Sequence, residues 1–155
     1  MDVRFFKKLK RSRDQYAKTP TALLEKLETR WGRFDFDPCP ADPQFNGLEV
    51  EWGNNNYVNP PFNNLRAWLT KALAEWEKGK QIILIMPIRL HTKYFLDLIF
   101  PKIEEGKIWM YIIRGALKFQ EYKWGAPFGM MYLVFPGPGT MKPKEGMIVD
   151  VQVQD

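Results

Sequence analysis

The apolar positions of this chain change period along its length, and each change marks an element. Leu23, Leu24 and Leu27 are spaced for one face of a helix that opens at Thr19-Pro20 and stops at Gly32. Threonine at the N-cap and proline at the first helical position make a good start, and a glycine after Trp31 makes a good stop. Phe34-Asp35-Phe36-Asp37 alternates apolar and charged, which predicts a short strand ended by Pro38, Pro40 and Pro43. A loop follows to about Gly53. Asn56-Tyr57-Val58 predicts a second short strand, cut off by Pro60-Pro61. Leu65, Trp68, Leu69, Ala72, Leu73 and Trp76 then give the clearest helical stripe in the chain, closed by Gly79. Ile82-Ile83-Leu84-Ile85-Met86 is a continuous apolar run of strand length, as expected of a strand covered on both faces. A further helix is expected over 90–100, ended by Pro101, then buried strands over 108–113 and 130–135. Residues 147–153 add either an edge strand or a loose tail.

From Tyr57 to Ile113 the order is strand, helix, strand, helix, strand. That βαβαβ order predicts an α/β fold with a reduced, mostly parallel, Rossmann-like sheet flanked by helices. The length, 155 residues, is that of one domain. Charge divides it further. Of 23 basic and 18 acidic residues, seven and two lie in residues 1–18, leaving sixteen of each in the rest. The chain therefore reads as a basic arm, 1–18, followed by one neutral domain, 19–155. The arm carries Phe5, Phe6, Leu9 and Tyr16 among its charges and is read either as a short amphipathic helix or as a flexible tail.

One cysteine, Cys39, forbids an internal disulfide framework, and with one histidine, His91, it falls short of a zinc site of about four such ligands. Cys39 is expected to pack as a small hydrophobe and His91 to start a helix or lie on the surface. No apolar run approaches the roughly 20 residues of a membrane span, and the N-terminus lacks the apolar stretch of a signal peptide. The expected location is cytoplasmic, the host cytoplasm if the chain is viral.

Ligands of open α/β sheets bind beyond the carboxyl ends of the strands. Two polar clusters stand at such places: the segment from Asp35 to Pro40, and Asn59-Pro60-Pro61-Phe62. In the second, two consecutive prolines fix two φ angles and remove two amide donors. What is left is a rigid extended turn rich in carbonyl oxygen, with the Asn59 amide beside it and the Phe62 ring after it. Such a turn suits a planar group carrying an –NH2. Two carbonyls accept its hydrogens, the ring stacks on it, and the nitrogen lone pair is turned outward to an electrophile.

At this point the residues resemble a family. Asn, Asp or Ser, then Pro-Pro and an aromatic, is the catalytic motif of amino-group methyltransferases. The remaining motifs resemble the phage-type, Dam-like DNA adenine-N6 methyltransferases. These are Thr19-Pro20, Phe36-Asp37-Pro38-Cys39, Gly47-Leu48 with Trp52, Met86-Pro87-Ile88-Arg89, Arg114-Gly115-Ala116-Leu117-Lys118-Phe119, and Ala126-Pro127-Phe128. The resemblance covers about residues 19–135. It implies a viral origin and direct methyl transfer from S-adenosyl-methionine to adenine N6 in DNA, with no metal and no covalent intermediate. It implies that Asn59, Pro60, Pro61 and Phe62 hold the target base, and that Thr19, Pro20, Asp35, Asp37, Pro38 and Asn59 line the cofactor site. The unbalanced arm charges Lys7, Lys8, Lys10, Arg11 and Arg13 are expected to contact DNA phosphates. Arg114, Lys118 and Lys123, interleaved with Phe119 and Trp124, form a second expected DNA contact.

Two other readings stay open on the residues. The turn accepts any planar –NH2, such as that of cytosine N4 or RNA adenine. The stretch from Pro38 to Gly47 also lacks the glycine-rich cofactor loop usual in methyltransferases, which suits a non-catalytic DNA-binding protein on a degenerate methyltransferase scaffold.

Overall fold

The structure is a computed structural model that describes residues 19–114, 129–144 and 146–150. The basic arm, with Lys7, Lys8, Lys10, Arg11 and Arg13, lies outside the described residues, as do Lys118, Phe119, Lys123 and Trp124.

Helix α1 (Thr21–Trp31) leads into strand β1 (Asn55–Val58), helix α2 (Leu65–Glu77), strand β2 (Gln81–Pro87), a π-helical turn (Phe95–Ile99) continuing as α3 (Phe100–Glu104), and strands β3 (Trp109–Arg114), β4 (Met130–Phe135) and β5 (Ile148–Asp150). The sheet order is β1-β2-β4-β3-β5. β1 pairs with β2 in parallel, and so does β3 with β5, whereas β4 runs antiparallel to both of its neighbours. The fold is therefore mixed α/β. The expected mostly parallel sheet is corrected at its centre, where the two longest ladders, β2 with β4 and β4 with β3, are antiparallel. The reason lies in the connection. Parallel neighbours need a long crossover, whereas an antiparallel strand can return beside its predecessor. Residues 115–128, broken by Gly115, Gly125 and Pro127, carry no clear helical stripe to make such a crossover.

Alternation along the strands sorts the core into two faces. Tyr57, Ile83, Ile85, Tyr111, Tyr132 and Val134 lie on one, covered by Leu23, Leu27 and Trp31 of α1. Val58, Ile82, Leu84, Met86, Leu133 and Phe135 lie on the other, covered by Leu65, Trp68, Leu69 and Ala72 of α2 with Phe95 and Ile99. Every residue of β2 and β4 is buried, as the unbroken apolar runs predict.

Three local expectations change, and one open alternative is decided. The Phe34–Asp37 segment makes only an isolated parallel bridge, Phe36 to Asn56, so it flanks the sheet without extending it as a strand. Pro101 does not end a helix. It lies in the first turn of α3, where its missing N–H has no intrahelical partner to lose, and the π-helical turn before it absorbs the change of pitch. Thr19 is not the N-cap of α1. Pro20 holds that position with extended backbone (φ −59°, ψ 135°), and no side chain caps the helix. The 147–153 segment is an edge strand over Ile148–Asp150. Among the described residues no helix is long and apolar enough to cross a membrane.

The amino end of β1 is held by amide side chains. Asn55 Nδ2 donates to the carbonyls of Trp31, Gly32 and Arg33 at the end of α1 (3.1–3.3 Å). Asn56 Nδ2 donates to Gly53 and Gln81 carbonyls, and Gln81 Nε2 donates to Trp31 O. These bonds satisfy backbone groups that strand pairing leaves open, and they tie α1, β1 and β2 into one frame.

Candidate functional site

β1 and β2 run in parallel, so their carboxyl ends open on the same rim of the sheet. Asn59-Pro60-Pro61-Phe62 leaves β1 at that rim, and Arg89 leaves β2 beside it. β3 points the same way, because both it and β2 oppose β4, so exposed Arg114 reaches the same rim.

Both ends of the Asn59–Phe62 turn are braced. Pro61 is extended (φ −64°, ψ 133°), and its carbonyl accepts the Asn64 N–H at 3.2 Å, which starts a short 3-10 turn. Arg89 Nη1 donates to the Phe62 carbonyl at 3.0 Å. At the other end Asn59 Nδ2 donates to Thr19 Oγ1 at 3.2 Å, and Thr19 Oγ1 lies 2.6 Å from Tyr57 Oη. Tyr57 and Asn59 are two residues apart along an extended chain, so their side chains share a face. Helix α1 packs on that face and delivers Thr19 between them.

Asp37 belongs to the same group. Asp35 N–H bonds Asn55 O, and Tyr57 N–H bonds Phe36 O, so this segment runs alongside β1 with residue 37 beside 57. Asp37 is exposed in area, yet desolvation by the surrounding protein raises its carboxyl from 3.8 to about 6, against the lowering effect of the Cys39 N–H that its Oδ1 accepts at 2.9 Å. Burial holds the Tyr57 phenol far above its usual range, and nearby Asp37 adds to that, so Tyr57 is neutral at all working pH values. Pro38 and Cys39 are buried behind this group.

Asp35 is placed elsewhere. Its two carboxylate oxygens accept the N–H groups of Asn54 and Asn55 (3.2 and 3.1 Å), toward the amino end of β1. It anchors a loop and does not join the rim. Phe62 is 7% exposed and packs in the core with Tyr57 and Ile83. The structure thus brings Thr19, Asp37, Asn59 and Phe62 together with two residues that the sequence did not single out for a role, Tyr57 and Arg89. The signal for Tyr57 was present in its two-residue spacing from Asn59. Arg89 carried none beyond its place in a motif. Among the described residues no group of three or more His, Cys, Asp or Glu side chains is placed to hold a metal ion.

Residues 6–126 match the protein family described as DNA N-6-adenine-methyltransferase (Dam). The chain belongs to that family. A relative from Escherichia phage T1, named DNA N-6-adenine-methyltransferase, is 28% identical over 91 residues, which cover 51% of this chain and 38% of the phage protein. The chain thus spans well under half of that relative's length. No solved structure matches it. The family's match takes in the whole rim from Thr19 to Arg114, so the braced turn, Asp37 and Arg89 all lie within the part of the chain that defines membership.

Proposed function

We propose that the protein is a DNA methyltransferase that uses S-adenosyl-methionine to methylate the N6 amine of adenine. The observation that carries this reading is the rigid Asn59–Phe62 turn at the carboxyl rim, with the Asn59 amide held by Thr19. Family membership supplies the substrate class.

The residues at the rim fit such a donor. S-adenosyl-methionine carries a sulfonium, an ammonium group and ribose hydroxyls, and the rim offers a carboxylate at Asp37 and hydroxyl and amide groups at Thr19 and Asn59. Asp37 Oδ1 is engaged by the Cys39 N–H, and among the described residues its Oδ2 accepts no hydrogen bond. Asp37, Thr19, Pro20, Pro38 and Asn59 would hold the donor. When bound, the donor would supply an electrophilic methyl group for N6, its sulfonium leaving as a thioether, and the proton lost from N6 would pass to water.

The chain's own task is positioning. The Asn59 side-chain oxygen and the Pro60 carbonyl accept the two N6 hydrogens, which turns the nitrogen lone pair toward the donor. Proline φ angles are preset, so little ordering is left to do when the base arrives. Holding two reactants in line accounts for much of the acceleration available to a direct transfer. Phe62 is nearly covered, so stacking on a base requires displacing a neighbour from its ring. In duplex DNA the adenine must also leave the stack, at about a few kcal/mol. Arg114 on the rim and the basic side chains at Lys7, Lys8, Lys10, Arg11, Arg13, Lys118 and Lys123 supply phosphate contacts in this reading.

The test is transfer of a labelled methyl group to unmethylated DNA, followed by nucleoside analysis. The expected product is N6-methyladenine, and Asn59→Ala is expected to reduce turnover by about 100-fold or more, by analogy with loss of one preorganised polar group in other active sites. Near-normal turnover in that variant would sink the assignment. Label on cytosine, or on RNA in preference to DNA, would move the chemistry to another amine.

A further inference from the structure

We propose that Thr19 and Tyr57 are positioning residues that set which way the Asn59 amide faces. The inference rests on the methyltransferase reading and goes beyond it by assigning a second task to the Thr19 hydroxyl, and a task to a buried phenol that need not touch either reactant.

An asparagine side chain is nearly symmetric in shape, but its two ends do opposite things. The oxygen accepts hydrogen bonds and the nitrogen donates them. A turn that receives an –NH2 works only with the oxygen toward the substrate. With the amide turned over, two N–H groups would face the incoming amine and repel it. The orientation therefore needs a fixed partner, and the structure provides one. Asn59 Nδ2 donates to Thr19 Oγ1, so Oδ1 is on the other side of the amide.

Thr19 alone would be a poor guide, because a hydroxyl both donates and accepts. A free threonine hydroxyl could donate to Oδ1 as readily as it accepts from Nδ2. Tyr57 removes that ambiguity when it takes the threonine's hydrogen. Its Oη lies 2.6 Å from Thr19 Oγ1, and the phenol is 4% exposed, in the core with Leu23, Leu27 and Trp31. Where Thr19 donates to Tyr57, only lone pairs remain for Asn59. Where Tyr57 donates to Thr19, the hydroxyl keeps both its own hydrogen and one lone pair, and could meet either end of the amide. The Asn59 Nδ2 contact with Thr19 Oγ1 fits the first arrangement, in which Thr19 donates to Tyr57. Asn59 itself is only 6% exposed, so water does not offer it an equal alternative.

This accounts for a departure from the sequence pattern. Thr19 precedes a helix and is spaced to cap it, yet its hydroxyl bonds Tyr57 and Asn59, and α1 begins without a side-chain cap. A missing cap costs about 1 kcal/mol. The hydroxyl is instead used on two side chains at the rim.

The test combines turnover with a readout that needs no donor or DNA. The variants are Tyr57→Phe, which keeps the ring, Thr19→Val, which keeps the shape, and Thr19→Ser, which keeps the hydroxyl. The expected result is that Tyr57→Phe and Thr19→Val each lower kcat about tenfold, the scale of one hydrogen bond lost at a reacting group. The double variant is expected to be no slower than Thr19→Val, since both act on one orientation. Thr19→Ser is expected to keep near-normal kcat. Donor affinity by calorimetry is expected to hold in Tyr57→Phe. In NMR of the protein alone, the Asn59 side-chain NH2 signals are expected to shift and exchange faster in Tyr57→Phe and Thr19→Val, and to stay in place in Thr19→Ser. Unchanged kcat and unchanged Asn59 signals in Tyr57→Phe overturn the proposal, as do losses that add in the double variant. If the wild-type protein transfers no methyl group, the functional reading fails, and the NMR series still decides whether Thr19 and Tyr57 orient the amide.

Discussion

Asp35 and Asp37 look equivalent in the sequence, two carboxylates at the end of one alternating segment. They differ because one is used up by backbone N–H groups at the amino end of β1, while the other sits among Tyr57, Asn59 and Thr19 at the opposite end. Desolvation raises Asp37 to about 6, near working pH. The sign of its effect is opposite for folding and for function. The folded state prefers the protonated acid, so this group's contribution to stability falls as pH rises from 3.8 to about 6 and is flat above that. Asp37→Asn is therefore expected to be at least as resistant to urea as the wild type at pH 7.5, with its advantage gone below pH 4. Binding of a cationic donor needs the carboxylate, so donor affinity is expected to rise with pH through about 6 and to lose that rise in Asp37→Asn. Calorimetry at pH 5 and pH 7.5 checks this, and an equal pH response in both proteins would remove Asp37 from the site. Cys39 was legible from composition alone: a lone cysteine far in sequence from the one histidine, it packs in the core.

Among the elements, the loop between the Asp37 segment and β1 shows what glycine is for. An added Cβ on Gly47 would run into the carbonyl oxygen of Pro38 and the ring of Trp68. The carbonyl of Gly47 also accepts the Trp52 indole N–H at 2.7 Å. The loop thus lies flat on the Asp37-Pro38-Cys39 turn and holds it against α2. Neither the Pro38 backbone nor a packed tryptophan gives way cheaply, and overpacking costs about 1–3 kcal/mol or more. Gly47→Ala is expected to lower Tm by roughly 4–10 °C and to weaken donor binding through Pro38. Thermal unfolding followed by donor calorimetry tests both, and a Tm within 1 °C of normal would show that the loop adapts. The helical and strand stripes were readable because each spans many residues at one period. The roles of the Thr19 hydroxyl and of Pro101 show in no such stripe, because each depends on particular partners: Tyr57 and Asn59 for the first, and the π-helical turn for the second.

Across the whole molecule, two networks of opposite character brace the sheet. At the rim, the bracing groups are the Thr19 and Tyr57 hydroxyls, the Asn59 amide and Arg89, each making one or two hydrogen bonds. On the far side of α2, the side chain of Glu75 is buried and meets Lys71 (3.4 Å), Lys78 (2.9 Å), Lys80 (3.4 Å) and the Trp52 N–H (2.8 Å). Burial alone would raise its carboxyl, but the Lys78 and Trp52 hydrogen bonds and the Lys71 and Lys80 charges outweigh that and hold it at about 2. Lys80 also donates to Trp52 O at 2.7 Å, so the pair ties α2 to the loop that enters β1. A depressed acid stabilises the fold above its unfolded value and loses that contribution as pH falls from about 4.5 through about 2. Glu75→Gln is expected to be clearly less stable than wild type at pH 7 and to converge on it below pH 3. Urea titrations at the two pH values decide the matter, and a constant gap would place the stabilisation in packing.

The chain's periodicity marked the long helical and strand stripes, and its motifs placed the Asn59-Pro60-Pro61-Phe62 turn at the end of β1, because both are local properties written in neighbouring residues. The antiparallel pairing at the sheet centre is a tertiary outcome that the order of elements along the chain did not predict. That Asp35 binds the N–H groups at the amino end of β1, while Tyr57 and Arg89 reach the carboxyl rim, was decided by contacts between residues 20 to 38 positions apart. Such contacts exist only once α1 packs on the sheet and sets Thr19 between Tyr57 and Asn59, and no spacing along the chain encodes that distance.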